Sequence, residues 1–370
     1  MTVAKLLALS SIPGLGPRRM ADLLAAFGSI GALFEARAEI VRLAARLPAE
    51  AATEFQPSAL ERRLRDAEAE LRRLGDEGGW AVGLDDPDYP ALLRTIPDPP
   101  PVLFGVGRRQ ALTERAVAVV GTRRATPYGA AAAKIVAGDL ASAGLVVVSG
   151  LARGIDAIAH QAALDEGGST VAVLGSGLGR VYPWENRGLA RAIRDGGAGA
   201  VVSEHVWETD PRPGNFPARN RVISGVSLAV VVVESDEKGG ALITADCALE
   251  QGREVLAVPG PITSRFSRGP HALVYDGAKM VRSGQDVLEI LGIPARAPTG
   301  ARSGAKEPAG PMAREALIVL TALDVLPTSL DELIERTGLA PEAVAAVTSI
   351  LEVDGLVRRM PGPVFVRLNS

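Results

Sequence analysis

The chain has 370 residues, 47% of them apolar and 22% charged. That composition belongs to a globular chain with one large core and room for smaller modules, and excludes a disordered or collagen-like one. A formal net charge of -3 excludes nucleic-acid binding by bulk attraction, so any such affinity has to come from local clusters of Arg and Lys.

Residues 1–75 are expected to be helical. The N-terminal apolar run is soon broken by Ser10, Ser11 and Pro13, which makes a signal peptide the poorer reading. Ile12 to Arg19, IPGLGPRR, has the outline of a helix-hairpin-helix (SAM-like) turn whose amides and arginines could hold a DNA phosphate; the plainer alternative is a turn that only packs. Glu61 to Leu74 is a charged amphipathic helix, read as a solvated face. From residue 76 to 292 a single α/β core is expected. Prolines between Pro87 and Pro101 break any long helix, leaving Trp80–Leu84 and Val102–Val106 as edge strands. Apolar runs then recur at Ala116–Val120, Leu145–Val148, Thr170–Leu174, Ala200–Val202, Leu228–Val233, Val255–Val258 and Lys279–Val281, mostly separated by helical patterns. The economical fold is an extended Rossmann-like, doubly wound parallel sheet. Residues 293–312, rich in Pro, Ala and Gly, read as a linker. Residues 313–370 read as a winged helix: helices at Arg314–Leu323, Ser329–Arg336 and Pro341–Val353, then a hairpin. Its five arginines face eight carboxylates, and the third helix has no Lys or Arg. That charge argues for contact with protein rather than DNA. No apolar run approaches the roughly 18 residues of a membrane span.

The chemistry gathers where the parallel strands end, since ligands of such sheets bind outside the carboxyl ends of the strands. The candidate site comprises Gly121, Thr122 and Arg123 after the first run; Ser149, Gly150, Arg153 and Gly154 after the second; Gly175, Gly177 and Arg187 after the third; Arg219 and Arg221 in FPARNR; and Lys238, Gly239 and Gly240 near the end. Glycine turns and helix N-termini favour an anion. Two guanidiniums in the first turn, where a dinucleotide fingerprint would have backbone alone, suggest a polyanion. Arg219 and Arg221 could line the crevice, or one could pair with Glu204 or Glu234. Tyr182 and Trp184 could stack on a base. His160 reads as a core histidine capping a neighbouring loop, not an acid–base group. The lone Cys247 reads as packing; it excludes an intramolecular disulfide and suits a reducing, cytoplasmic setting. No metal ligand set, cofactor motif or catalytic constellation is expected. An alternative is a nucleotide or phosphoribosyl hydrolase, for which Glu234 and Asp246 are the available carboxylates.

GTRRATPYG, VVVSGLARGIDAIAH, VAVLGSGLGRVYPWEN, FPARNRVISG and GGALITADCALEQGREVLAVPG, in this order, resemble the DprA (Smf) family of DNA-processing proteins, and DYPALLRTIPDPPPVLFGVG fits the segment before its core. The resemblance covers about Trp80 to Ile290. It implies an extended Rossmann fold that dimerises through its core, binds and protects single-stranded DNA in natural transformation, and loads RecA. It also implies that Arg123 contacts phosphate, with Lys238 and Arg187 at further basic positions. One departure is Gly239-Gly240-Ala241 where the family usually has Ser-Gly-Ser, which removes two hydroxyls and leaves backbone amides.

Overall fold

The computed structural model describes residues 2–48, 53–294, 311–323, 327–353, 356–360 and 362–367. Most of the expected linker, residues 295–310, lies outside them. Five helices come first: α1 (Thr2–Ser10), α2 (Pro17–Phe27), α3 (Ile30–Glu35), α4 (Ala38–Ala44) and α5 (Pro57–Asp76). Their ends are set by local chemistry. Pro17 opens α2, where a missing N–H costs nothing, and Gly28 closes it in the left-handed conformation at φ 73°. Ser29 then caps α3, its hydroxyl accepting from the Ala32 N–H at 3.1 Å. The expected solvated helix, α5, also buries Leu60, Ala67 and Leu74, a seven-residue spacing that keeps one stripe inward.

The core continues through β1 (Gly79–Gly83), α6 (Ala91–Arg94), β2 (Val102–Gly107), β3 (Ala116–Val120), α7 (Pro127–Ser142), β4 (Val146–Ser149), α8 (Ile155–Asp165) and β5 (Thr170–Leu174). It then runs α9 (Arg187–Asp195), β6 (Ala200–Ser203), α10 (Asn215–Gly225), β7 (Ala229–Val232), α11 (Gly240–Glu250), β8 (Glu254–Ala257), α12 (Arg268–Tyr275), β9 (Lys279–Met280) and α13 (Gly284–Ile290). These strands form one nine-stranded sheet in the order β1-β2-β6-β5-β4-β3-β7-β8-β9. β1 and β2 pair antiparallel, β2 meets β6 antiparallel, and the pairings from β6 to β9 are parallel.

Strand periodicity divides the core between the two faces. Ala118, Val120, Val146, Val148, Val230 and Val232 pack with Val222, Ile223 and Ala245 of α10 and α11. The alternate residues Val117, Val119, Val147 and Val231 pack with α7, α8 and α13 through Val136, Leu140, Ala159 and Val287. Both faces are covered, which is why the strands read as unbroken apolar runs. After β3 the chain moves to β4 on one side and later returns to β7 on the other, so the topological switch point lies between β3 and β7.

The C-terminal module has α14 (Pro311–Ala322), β10 (Thr328–Ser329), α15 (Leu330–Thr337), α16 (Pro341–Val353), β11 (Val357–Met360) and β12 (Val364–Arg367). Its three strands pair in the order β10-β12-β11. A small core of Val319, Leu333, Val344, Val347, Leu351, Val357 and Phe365 joins them. Arg358, Arg359 and Arg367 are exposed on the hairpin, not on α16.

His160 is fully buried in α8. Its Nδ1 lies 2.6 Å from the Thr170 hydroxyl, which itself donates to the Val147 carbonyl at 2.7 Å. The hydroxyl therefore accepts from Nδ1–H, so the histidine anchors the start of β5 rather than capping a loop. Nε2 has no partner among the described residues. Burial, followed by the nearby Arg219 guanidinium, pulls its pKa from 6.5 to about 3. A folded pKa below the unfolded one gives stability that is present above pH 6.5 and lost as pH falls toward 3. His160→Gln should therefore lose about 2 kcal/mol less stability than the parent chain between pH 7 and pH 5. Urea unfolding at the two pH values measures it; parallel losses in both chains would assign the acid sensitivity elsewhere, with His205, also shifted downward by burial, the next candidate.

Candidate functional site

A cleft of about 680 Å³ opens at the switch point. Its walls are the β3 turn (Gly121 to Arg124), the β7 turn with the start of α11 (Ser235, Asp236, Gly239, Gly240), and the start of α10 (Phe216, Arg219, Asn220). A smaller recess lined by Gly150, Ala152, Arg153 and Tyr182, and sharing Arg123, Phe216 and Arg219 with the cleft, brings in the β4 turn.

The turns are locked together by backbone. The Thr122 N–H donates to the Glu234 carbonyl at 2.7 Å, and the Ile155 N–H donates to the Thr122 carbonyl at 3.2 Å. Gly154, the N-cap of α8, has φ 76°. A Cβ there would lie 2.3 Å from the Thr122 carbonyl oxygen, so both the conformation and the space demand glycine. At Gly150 a Cβ would lie 2.5 Å from the Arg219 guanidinium.

Arg219 is the floor. It is 5% exposed, and its Nη1 donates to the carbonyls of Gly150, at 2.7 Å, and Val173, at the ends of β4 and β5. Burial pulls its pKa down to about 10, with the Asp156 carboxylate opposing the shift, so it stays charged at neutral pH. Asp156 is buried beside it, and its carboxylate accepts from the N–H groups of Gly150 at 3.1 Å and Ala152 at 3.4 Å. Burial pushes the carboxyl pKa up, resisted chiefly by Arg219.

Above that floor sit exposed groups. Arg123 stacks on Phe216, 5.7 Å from the ring centroid, and Tyr182 meets the same ring at 5.6 Å. Arg123, Arg124 and Lys238 are exposed, and among the described residues none forms a salt bridge. Gly239 and Gly240 open α11, whose N-cap has no side-chain hydrogen bond, leaving amides and the positive end of the helix toward the cleft. Nothing lies within 4 Å of a Cβ built at Gly240. The carboxylate at the rim, Asp236, is held by Arg265 at 2.6 Å, which lowers its pKa.

The structure thus brings together Gly121, Thr122, Arg123, Gly150, Arg153, Gly154, Arg219, Gly239 and Gly240, with Lys238 exposed next to Gly239 but lining neither the cleft nor the recess. Arg153 is not a free cation, since its Nε donates to Glu185 at 3.0 Å. Five expected residues stand elsewhere. Ser149 is buried and its hydroxyl donates to the Val119 carbonyl at 2.7 Å, tying β4 to β3. Gly175 backs Phe216 and Gly177 lies against the Val206 and Trp207 carbonyls, as packing glycines. Arg187 lines a separate groove beside α9. Arg221 pairs with Glu204 at 2.7 Å and Asp98 at 3.0 Å. The reason is helical geometry: FPARNR is the first part of α10, not a loop, and residues two apart on a helix point to opposite sides. Phe216 and Asn220 line the cleft without having been singled out, and Arg124, the second guanidinium of the first turn, lines it as well. In the N-terminal turn Arg19 donates to the Gly14 carbonyl at 2.6 Å, which favours packing over phosphate capture there. Cys247 is half-buried, with its thiol pKa pushed up by burial. Glu234 is 2% exposed and Asp246 does not line the cleft. Among the described residues no group of His, Cys, Asp and Glu is placed to hold a metal, and no helix is long and apolar enough to cross a membrane.

The profile of the DNA recombination-mediator protein A family matches residues 80–292. The chain belongs to this family. The DprA winged helix domain matches residues 303–363. Protein Smf of Escherichia coli (strain K12) is 43% identical over 227 residues, 61% of this chain and 60% of that protein's length. The X-ray structure of DNA processing protein A from Streptococcus pneumoniae superposes with a TM-score of 0.67 at 34% identity, over 78% of this chain and 98% of that one. A structure of DNA processing protein A from Helicobacter pylori, described for its single-stranded DNA binding mode, gives a TM-score of 0.52 at 29% identity over 58% and 95%.

The roles of the two cleft arginines separate by stability. Arg219→Ala strips the Gly150 and Val173 carbonyls of their buried donor and removes the positive charge near Asp156, and should cost about 3–5 kcal/mol. Arg123→Ala, at an exposed position, should cost less than about 0.5 kcal/mol. Urea unfolding of both variants checks the pair of values.

Proposed function

We propose that the cleft binds single-stranded DNA and that the chain is a recombination mediator, handing the bound strand to a RecA-type recombinase. The observation that carries this is Arg123 standing over the Phe216–Tyr182 pair in the cleft that Gly239 and the free amide of Gly240 line at the start of α11. Unpaired cations and amides serve phosphates, and an aromatic platform serves a splayed base; together they suit an unpaired strand of any sequence. Family membership and the single-strand binding described for the Helicobacter pylori protein support the reading. We further propose a homodimer through the core, at the β9 end, where Tyr275, Ile262 and Met280 are exposed at 91%, 89% and 54%. The protein acts in the cytoplasm, without enzymatic turnover and without a cofactor.

Arg123→Ala should weaken binding of oligonucleotides of every base composition and lower the slope of log K against log salt by about 0.7, one phosphate of a single strand. Filter binding across a salt series checks this, and an unchanged slope in the folded variant would remove Arg123 from the site. A chain ending at Leu291 should keep its single-strand affinity within about a factor of three, since α16 offers no cation to a phosphate array. A tenfold loss in a folded, dimeric truncated chain would bring the exposed arginines of the β11–β12 hairpin into the interface.

A further inference from the structure

Arg187, displaced from the cleft, belongs to a second concavity of about 340 Å³. Its floor is aliphatic and aromatic: Val106 of β2, Leu178 and Val181 after β5, Val201 of β6, and Trp207. Its rim is α9, where Arg187, Arg191 and Arg194 stand at helical positions i, i+4 and i+7 and all line the groove. Ile193 is buried in the core and Ala190, also buried, lines the groove beneath the arginines, while helical spacing sets the three arginines in one row, about 10 Å long. Arg194 pairs with Asp195 at 2.6 Å. Arg187 and Arg191 have no ion pair among the described residues. The other charges near this face are Arg180 with Glu208 and Asp210, and Glu77 near Arg194. The Trp207 backbone N–H donates to Glu70 at 2.6 Å, while its indole N–H has no hydrogen-bond partner among the described residues.

We propose that this groove binds an acidic peptide segment of a partner protein, with one large hydrophobic side chain of that segment seated on the floor. Guanidinium forks match carboxylates in pairs, and a row of about 10 Å faces roughly three residues of extended chain. The floor decides between a peptide and a strand of DNA. A base needs an open aromatic face, and here one face of the Trp207 pyrrole ring lies against Gly179, its Nε1 and Cδ1 being 2.4 and 2.7 Å from where a Cβ of that glycine would stand. An aliphatic pocket of this size takes a Leu or Phe side chain, the arginine row takes neighbouring carboxylates, and the indole N–H can donate to a peptide carbonyl. Apolar anchor plus charged rim is the usual anatomy of a specific peptide site.

The test uses the full chain and a fluorescein-labelled peptide DDDDLF with a free C-terminus, read by anisotropy at moderate salt. Binding is expected in the micromolar range, at least about tenfold tighter than for GSGSLF or DDDDGS. The variant Arg187→Glu/Arg191→Glu, altered at exposed positions, should bind DDDDLF at least about tenfold more weakly, while Trp207→Phe, which keeps a ring and loses the N–H, should weaken it by a smaller factor. Arg123→Ala should leave peptide binding unchanged, which keeps this site independent of the cleft. No binding below about 1 mM, or equal binding to the charge-reversed chain, overturns the proposal. If the charge-reversed chain instead loses oligothymidine affinity tenfold while keeping the peptide, the row is a path for DNA. Failure of the parent chain to bind oligothymidine would sink the single-strand reading of the cleft and leave the peptide result standing.

Discussion

The arrangement of the cleft depends on one buried charge. Arg219 enters the sheet from α10 and meets the carbonyl groups with which β4 and β5 end. Without it those two carbonyls would be buried acceptors short of a donor, and Asp156, held by backbone N–H groups, would lose the nearby positive charge. Satisfying them from one guanidinium fixes α10 against the strand ends. Fixing α10 places Phe216 on Gly175, and Phe216 is the surface on which Arg123 rests. The exposed cation of the cleft is thus held in place through a buried one. Such division of labour between a buried and an exposed arginine is how a polar site is made rigid without immobilising every group in it.

Much of the fold was legible in the sequence because a parallel sheet covered on both faces has to be apolar throughout. Thr170–Leu174 and Ala116–Val120 coincide with β5 and β3, and the remaining runs agree with their strands to within a residue or so at either end. The order of strands was not legible, since nothing in a run of valines says which neighbour it pairs with. The cleft was half legible. Glycine turns and arginines mark strand ends, but the direction of a side chain depends on helical phase. The sequence left open whether Arg219 and Arg221 both line the crevice or one pairs with a carboxylate such as Glu204, and the half-turn of α10 between them makes one the floor and the other the partner of Glu204 and Asp98. Phe216 was overlooked for a related reason. A single aromatic before Pro217 has no periodic signature, and its importance comes from a neighbour 93 positions away in the chain, Arg123.

Two concavities of opposite logic occupy the core. In the switch-point cleft, cations stand over aromatic rings and backbone amides. Beside α9, cations stand over aliphatic side chains and one indole ring packed against Gly179. Both use arginine, and both would look alike on a map of charge. What separates them is the surface beneath the guanidiniums, which decides whether a flat base or a branched side chain can lose its water there.

The two ends of the sheet also differ. At one end the antiparallel β1–β2 pair is covered by α1 and α5; at the other, β9 is two residues long, exposed, and flanked by Tyr275. A protein with a sticky surface at both ends of its sheet would add copies without limit, as fibres do. With one such end, a second copy related by a twofold axis uses up the surface that recruited it, and growth stops at two. In the proposed dimer the N-terminal helices would act as a terminator as well as a module, leaving one edge of the sheet for a second copy.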